Sequence, residues 1–199
     1  MKLLLENWRE YLTEGMKMPE DLRELGNNIG VLIDTRNGDF FQVVFVEMEG
    51  ATIKRWRDDL GHIDLYESNP DQEFGQCAGA WVIGLTQAKD GWGPMLYDLA
   101  IEMATLKRMG GGGVTPDRNT VSSEARRVWD YYLNNRSDII SKQLDNKENP
   151  QTPDEADDCL QNSAGELENW SDSALSKAYI KPDNTIMKKL GSLGKLIIR

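Results

Sequence analysis

The sequence predicts an α+β fold: a mixed, mostly antiparallel central sheet flanked by helices, with an irregular C-terminal extension. Three observations lead there. Residues 29–67 break into short apolar or alternating runs separated by Asn-Gly, Gly and Asp-rich turns, the pattern of successive antiparallel strands. Ala78 to Thr86 is almost continuously apolar, as a central strand covered on both faces would be. After it the apolar spacing turns helical, first over Met95–Met109 and again over Ser122–Asn134.

The elements follow in order. Lys2 to Leu12 reads as an amphipathic helix, with Leu4, Trp8, Tyr11 and Leu12 on one stripe and Gly15 as its stop. Ile29 to Asp34 is a strand, and Asn37-Gly38 signals a tight hairpin because both residues tolerate positive φ. Phe40 to Glu49, Ala51 to Trp56 and His62 to Glu67 are the next strands, with turns at Gly50 and at Asp58–Gly61. Lys89 to Pro94 is a tight loop, and Pro94 suits the first turn of the helix it opens. Leu96, Leu99, Ala100, Met103 and Leu106 form that helix's buried stripe. Gly110 to Gly113 ends the helix and reads as a flexible connection. It lacks the Lys-Ser or Lys-Thr that a nucleotide P-loop requires. Val114-Thr115 is a short extended piece, and Ser122 or Ser123 caps the second helix, with Ala125, Val128, Trp129 and Leu133 inward. The chain thus divides into an N-terminal helix (1–15), a folded domain (16–142) and an acidic linker with a basic extension (143–199).

Charge and composition exclude several functions. The net charge of −10 argues against a general grip on nucleic acid. No apolar run reaches the roughly 18–20 residues that a membrane helix needs. The Met-Lys-Leu-Leu-Leu start is cut short by Glu6, so a cytoplasmic protein is expected. Without an export signal, Cys77 and Cys159 argue against a disulfide. His62 is the one histidine and there is no CxxC, so no structural metal is expected. Asp145 to Asp172 is acidic, and the tail carries Lys177, Lys181, Lys188, Lys189, Lys195 and Arg199. A basic tail of this size could touch phosphates, but folding back on the acidic segment is the expectation put first.

Chemistry points to one unit: strand, Gly-x-Gly loop, helix. A helix start presents unpaired N–H groups and the positive end of a dipole, and phosphate binds there when glycine lets the backbone come close. Gly91 and Gly93 have the required spacing. Many such turns use glycine only for its φ, so the pair by itself decides nothing.

The order of elements resembles the GNAT N-acetyltransferase superfamily. There, antiparallel strands lead to a long central strand, a Gln/Arg-x-x-Gly-x-Gly/Ala loop, a helix receiving the CoA pyrophosphate, a short strand and a second helix. The resemblance covers roughly Val31 to Asn135. It implies acyl transfer from acetyl-CoA to a small-molecule or protein amine, with Leu85, Thr86, Gly91, Trp92, Gly93 and Met95 binding the cofactor. Backbone N–H groups of the central strand would polarise the thioester carbonyl. Glu47 is the named base, with Glu49 and His62 as further candidates, each of which also fits a solvated strand face. The pattern's Gln or Arg falls on Ala88, with Gln87 one residue early. Trp129 stands where the family often places the tyrosine that protonates the thiolate, and Tyr132, three residues on, shares its face. These departures suit a second reading, an inactive GNAT-like binding or structural protein that docks a protein partner or its own copy. The Lys-Leu-Leu-Leu-Glu-Asn-Trp-Arg opening resembles tailed-phage proteins, implying a virion component or a host-takeover factor in the host cytoplasm.

Overall fold

The computed structural model describes residues 16–68, 75–117, 121–147, 150–159 and 170–199. The expected N-terminal helix over Lys2–Leu12 lies outside the described residues. Four antiparallel strands come first: β1 (Ile29–Asn37), β2 (Phe40–Glu49), β3 (Thr52–Trp56) and β4 (Gly61–Glu67). The central strand β5 (Trp81–Ala88) pairs antiparallel with β4, and helix α1 (Gly93–Thr105) follows. Strand β6 (Val114–Pro116) lies parallel to β5, and helix α2 (Ser123–Asn135) follows it. Next come β7 (Ile140–Gln143), β8 (Asp145–Asn146), β9 (Asp158–Cys159), β10 (Lys177–Ile180), helix α3 (Thr185–Ser192) and β11 (Leu196–Ile198). The large sheet has nine strands in the order β11-β1-β2-β4-β5-β6-β10-β7, with β3 on β2.

Two turns differ from the sequence reading in their chemistry. The hairpin between β1 and β2 turns at Gly38-Asp39, and neither Asn37 nor Gly38 has positive φ. A bulge between Asp34 and Asn37 supplies local twist that a primed Asn-Gly turn would otherwise provide. The glycine run after α1 is a packing device rather than a flexible link. A Cβ on Gly112 would sit 2.2 Å from the Gly79 carbonyl carbon, and one on Gly113 2.1 Å from the Tyr179 carbonyl oxygen. The backbones of three segments meet there, so side chains are excluded.

Among the described residues, the C-terminal extension is not irregular. β10 inserts between β6 and β7, and β11 pairs parallel with β1. Among the described residues, Lys177 donates to the Ser171 carbonyl within the acidic segment, but other basic groups of the tail pair elsewhere. Lys189 pairs with Glu20 at 2.8 Å, Arg199 with Asp34 at 3.2 Å, and Lys195 donates to the Asn27 carbonyl. Lys181 is buried against Asp98 and Glu102. The apolar spacing of Ile186, Leu190 and Leu196 draws the tail onto the domain body, and the basic groups meet the carboxylates already there.

This covering explains α1. From Met95 to Ala104 every residue is buried, including Asp98 and Glu102, which lie off the expected apolar stripe. Glu102 accepts from the Ile186 and Met187 N–H groups at 2.9 and 2.8 Å, placing an anion at the start of α3. Buried carboxylates are tolerated only when paired. Lys181 Nζ meets Asp98 Oδ2 at 3.1 Å and Glu102 Oε1 at 2.8 Å.

Cys77 and Cys159, expected to remain unpaired, form a disulfide with an S–S distance of 2.02 Å. The parallel β8–β9 pair and a Gly75↔Cys159 bridge carry the acidic segment onto the loop before β5. Leu144, Ala80 and Ala178 pack around the two sulfurs, an apolar setting invisible in the polar sequence near Cys159.

Candidate functional site

The site begins where β5 and β6 part. Their parallel ladder runs Trp81↔Val114, Val82↔Thr115 and Ile83↔Pro116. Pro116 has no N–H, and the last link is the Asp117 N–H donating to the Ile83 carbonyl at 3.2 Å. β5 continues to Ala88 on its other side, paired with β4 as far as Gly61↔Ala88. Among the described residues, no strand pairs with the β6-facing edge of Gly84–Ala88. The β4–β5 register jumps from Leu65↔Ile83 to Ile63↔Thr86. One β4 residue, Asp64, therefore faces two on β5, Gly84 and Leu85. Such a bulge leaves an extra backbone unit outside the ladder and re-aims the strand.

The opening forms a cleft of about 580 Å³. That lies within the usual range of small-molecule and cofactor sites, roughly 300–1,000 Å³. Gly84, Leu85 and Thr86 form one wall, and Val128 and Trp129 of α2 another. At its far end stand Lys89, Asp90, Gly91, Gly93 and Pro94, the loop and first turn of α1.

The two glycines of that turn have different reasons to be there. Gly91 has φ +83°, a left-handed conformation the turn itself requires, and its carbonyl accepts from the Lys17 N–H at 3.0 Å. Gly93 has an ordinary φ, and an added Cβ would meet only the Ala88 Cβ at 3.9 Å. The fold does not need glycine at 93, so the bland account covers Gly91 alone. Pro94 lacks an N–H, which leaves the Gly93 and Met95 amides as first-turn donors without intrahelical acceptors. The loop is not plugged. Trp92 turns inward, edge-on to Phe45 with ring centroids 5.5 Å apart, and Met95 is likewise in the core. Neither Trp92 nor Met95, both expected at the cofactor, is among the residues that line the cleft, because both side chains are drawn into the core.

The expected cofactor positions Leu85, Thr86, Gly91 and Gly93 thus line one cleft. The expected catalytic pair is not brought to it. Glu47 sits on β2, two strands from β5, and accepts from Asn28 Nδ2 at 2.7 Å. Glu49 is exposed and paired with Lys54. His62 is half-buried on β4 opposite Gln87, and its buried Nδ1 makes no hydrogen bond.

Tyr132 lies on the inner face of α2 but is not among the residues lining the cleft, and its hydroxyl donates to Asp98 Oδ1 at 2.6 Å. Arg136 clamps the same carboxylate at 3.0 and 2.9 Å and lies 5.1 Å from the Tyr132 ring centre. Burial, reinforced by the Asp98 charge, holds the Tyr132 phenol well above its ordinary range. Burial works against the charge on Arg136, yet Asp138 and Asp98 outweigh it and hold the pKa up. Arg136 in turn depresses Asp138. This is a satisfied structural network, in which the tyrosine hydroxyl is spent.

Two residues that the sequence reading passed over line the cleft instead. Asp117 stands at the fork, among the described residues the one carboxylate lining the cleft besides Asp90. Tyr97, one turn into α1, packs edge-on against Trp129 with centroids 5.5 Å apart, and its hydroxyl faces Thr86. No pattern of single residues pointed to either, because both depend on where β6 leaves β5.

A separate group of carboxylates, Asp145, Asp157 and Asp158, has oxygens within 4.8 Å of one another. Asp145 accepts from the backbone N–H groups of Asn146, Gln151 and Thr152, at 2.6–2.8 Å, and so ties that loop together. Compared with known protein families, with characterised proteins and with solved structures, the chain matches none.

Proposed function

We propose that the chain is an acyl-CoA-dependent N-acyltransferase that carries an acetyl group from acetyl-CoA to an amine. The observation that carries the proposal is the cleft opened by the departure of β6 from β5 at Pro116, leading to the bare first turn of α1. The order of elements supports it: antiparallel strands, central strand, glycine loop, helix, short strand, second helix.

Each part of an acyl-CoA has a chemically matched surface. A diphosphate at the Gly93 and Met95 amides gains the helix dipole, with Lys89 on the same loop. A pantetheine arm carries two amides, and the unpaired edge of Gly84–Ala88 offers them strand-like hydrogen bonds. The bulge at Gly84–Leu85 supplies an out-of-ladder backbone group near the fork, the kind of fixed dipole that polarises a thioester carbonyl. Asp117 is the carboxylate at the fork that would take a proton from the attacking amine.

The test is thermal unfolding of the full chain with acetyl-CoA. At 100 times its dissociation constant a ligand adds about 2.7 kcal/mol. For a chain of this size that is about 5–11 °C. No shift at millimolar acetyl-CoA removes the proposal.

A second reading, binding without transfer, is favoured by two observations. The Tyr132 hydroxyl is occupied by Asp98, and Ala88 offers no side-chain hydrogen bond at the phosphate loop. A shift with acetyl-CoA but no thiol release over a panel of amines selects it, and a phage virion or host-takeover role belongs to it.

A further inference from the structure

The middle of the cleft contains a polar pair in apolar surroundings. Thr86 Oγ1 is buried and makes no hydrogen bond of ordinary geometry. Tyr97 lines the same wall, with its hydroxyl directed at Thr86. Pro116, Val128 and Trp129 complete the wall around them. An unsatisfied buried hydroxyl costs free energy, and native proteins leave few of them. Thr86 is also the first β5 residue past the bulge, and the Tyr97 ring is held in place by Trp129. Both hydroxyls can donate, and both are held before any ligand arrives.

We infer that the Tyr97 and Thr86 hydroxyls receive the sulfur of CoA as it leaves. The inference rests on the acyl-CoA reading of the cleft. In the step, the amine lone pair forms the C–N bond and the thioester C–S bond breaks, with its electron pair going to sulfur. The two O–H groups donate to that thiolate. The surplus ammonium proton passes through Asp117 or water to solvent, and solvent protonates the released thiolate. No other reactant is needed. Tyr97 thus takes the place on α1 that the Tyr132 hydroxyl, bound to Asp98, does not fill from α2.

The test needs no acceptor amine. CoA and desulfo-CoA, which lacks the thiol, are titrated calorimetrically into the full chain at pH 6.5 and 9.5. A free thiol has a pKa of about 8.5. If the two hydroxyls lower the bound thiol by about one unit, CoA binds about eightfold tighter at pH 9.5 than at 6.5, relative to desulfo-CoA. Tyr97→Phe and Thr86→Val keep the ring and the branched shape, so the cleft stays filled. Each is expected to reduce that gain, and the double variant to abolish it, with desulfo-CoA binding to the same variant as the reference. The charged groups on the cleft wall, Lys89, Asp90 and Asp117, are the same in every variant, so they cancel in the comparison. Equal binding of both analogues at both pH values by the unmodified chain overturns the inference. So does a full gain in the double variant. If neither analogue binds, the acyl-CoA reading itself fails, an outcome distinct from both.

Discussion

Replacing Gly93 with glutamate separates the needs of the fold from those of a ligand. The backbone at 93 has ordinary φ, and the new Cβ meets only the Ala88 Cβ at 3.9 Å. Removing glycine from a helix gains up to about 1 kcal/mol, less at a terminus. A carboxylate in the first turn gains about 0.3–1 kcal/mol from the dipole. Gly93→Glu is therefore expected to be as stable as the unmodified chain, or up to about 2 kcal/mol more so, and its unliganded melting point should hold or rise. The same carboxylate would sit where the proposed diphosphate would lie. Two unit charges about 4 Å apart near a protein surface repel by about 4 kcal/mol. That corresponds to about a thousandfold weaker binding, before the lost amide contacts are counted. The assay is thermal unfolding with and without acetyl-CoA. Gly191→Glu serves as control, because Gly191 lies in α3 away from the cleft and a Cβ added there would meet nothing within 4 Å. A Gly93→Glu protein that folds and keeps the full acetyl-CoA shift refutes the argument that phosphate sits on this turn.

Two further predictions concern the scaffold. Lys181→Met leaves Asp98 and Glu102 buried without their shared cation and should cost about 3–5 kcal/mol. A loss below about 1 kcal/mol in denaturant unfolding would show that Arg136 and the α3 amides suffice. The Cys77–Cys159 bridge closes a separation of 82 residues, for which chain entropy gives about 4–5 kcal/mol. Reduction, or Cys77→Ser with Cys159→Ser, should lower the melting point accordingly. Two free thiols by mass in the unreduced chain would contradict the bridge.

Much of the fold is legible in the sequence because its first half is local. Alternation and turns place β1 to β4, the apolar run places β5, and the 3.6-residue stripe places α1 and α2. What escapes the sequence is non-local. Asp98 and Glu102 look like the wet face of an amphipathic helix until β10 and α3 are laid over them. The four glycines after Met109 look like a flexible link until the Gly79 and Tyr179 backbones are brought against them. Cys159 sits in a polar stretch, and only β8 and β9 bring it to Cys77.

The cleft divides in the same way. The end proposed for phosphate is a short motif, so Gly91 and Gly93 could be named from spacing. Its chemical end is a product of strand divergence. Asp117 and Tyr97 both line the cleft because Pro116 ends one ladder and Trp129 packs on the helix opposite. Tyr132 shows the limit of helical spacing as a guide. The period puts it on the correct face, but it cannot tell which neighbour will take its hydroxyl, and here Asp98 does.

The central claim is that one acyl-CoA lies along the bare edge of β5 with its diphosphate at the start of α1. Hydrogen–deuterium exchange of the full chain with saturating CoA tests it most directly. The account predicts slowed amide exchange over residues 84–88 and 91–95, with the β1–β2 hairpin unchanged. CoA that binds and protects neither of those segments would contradict it.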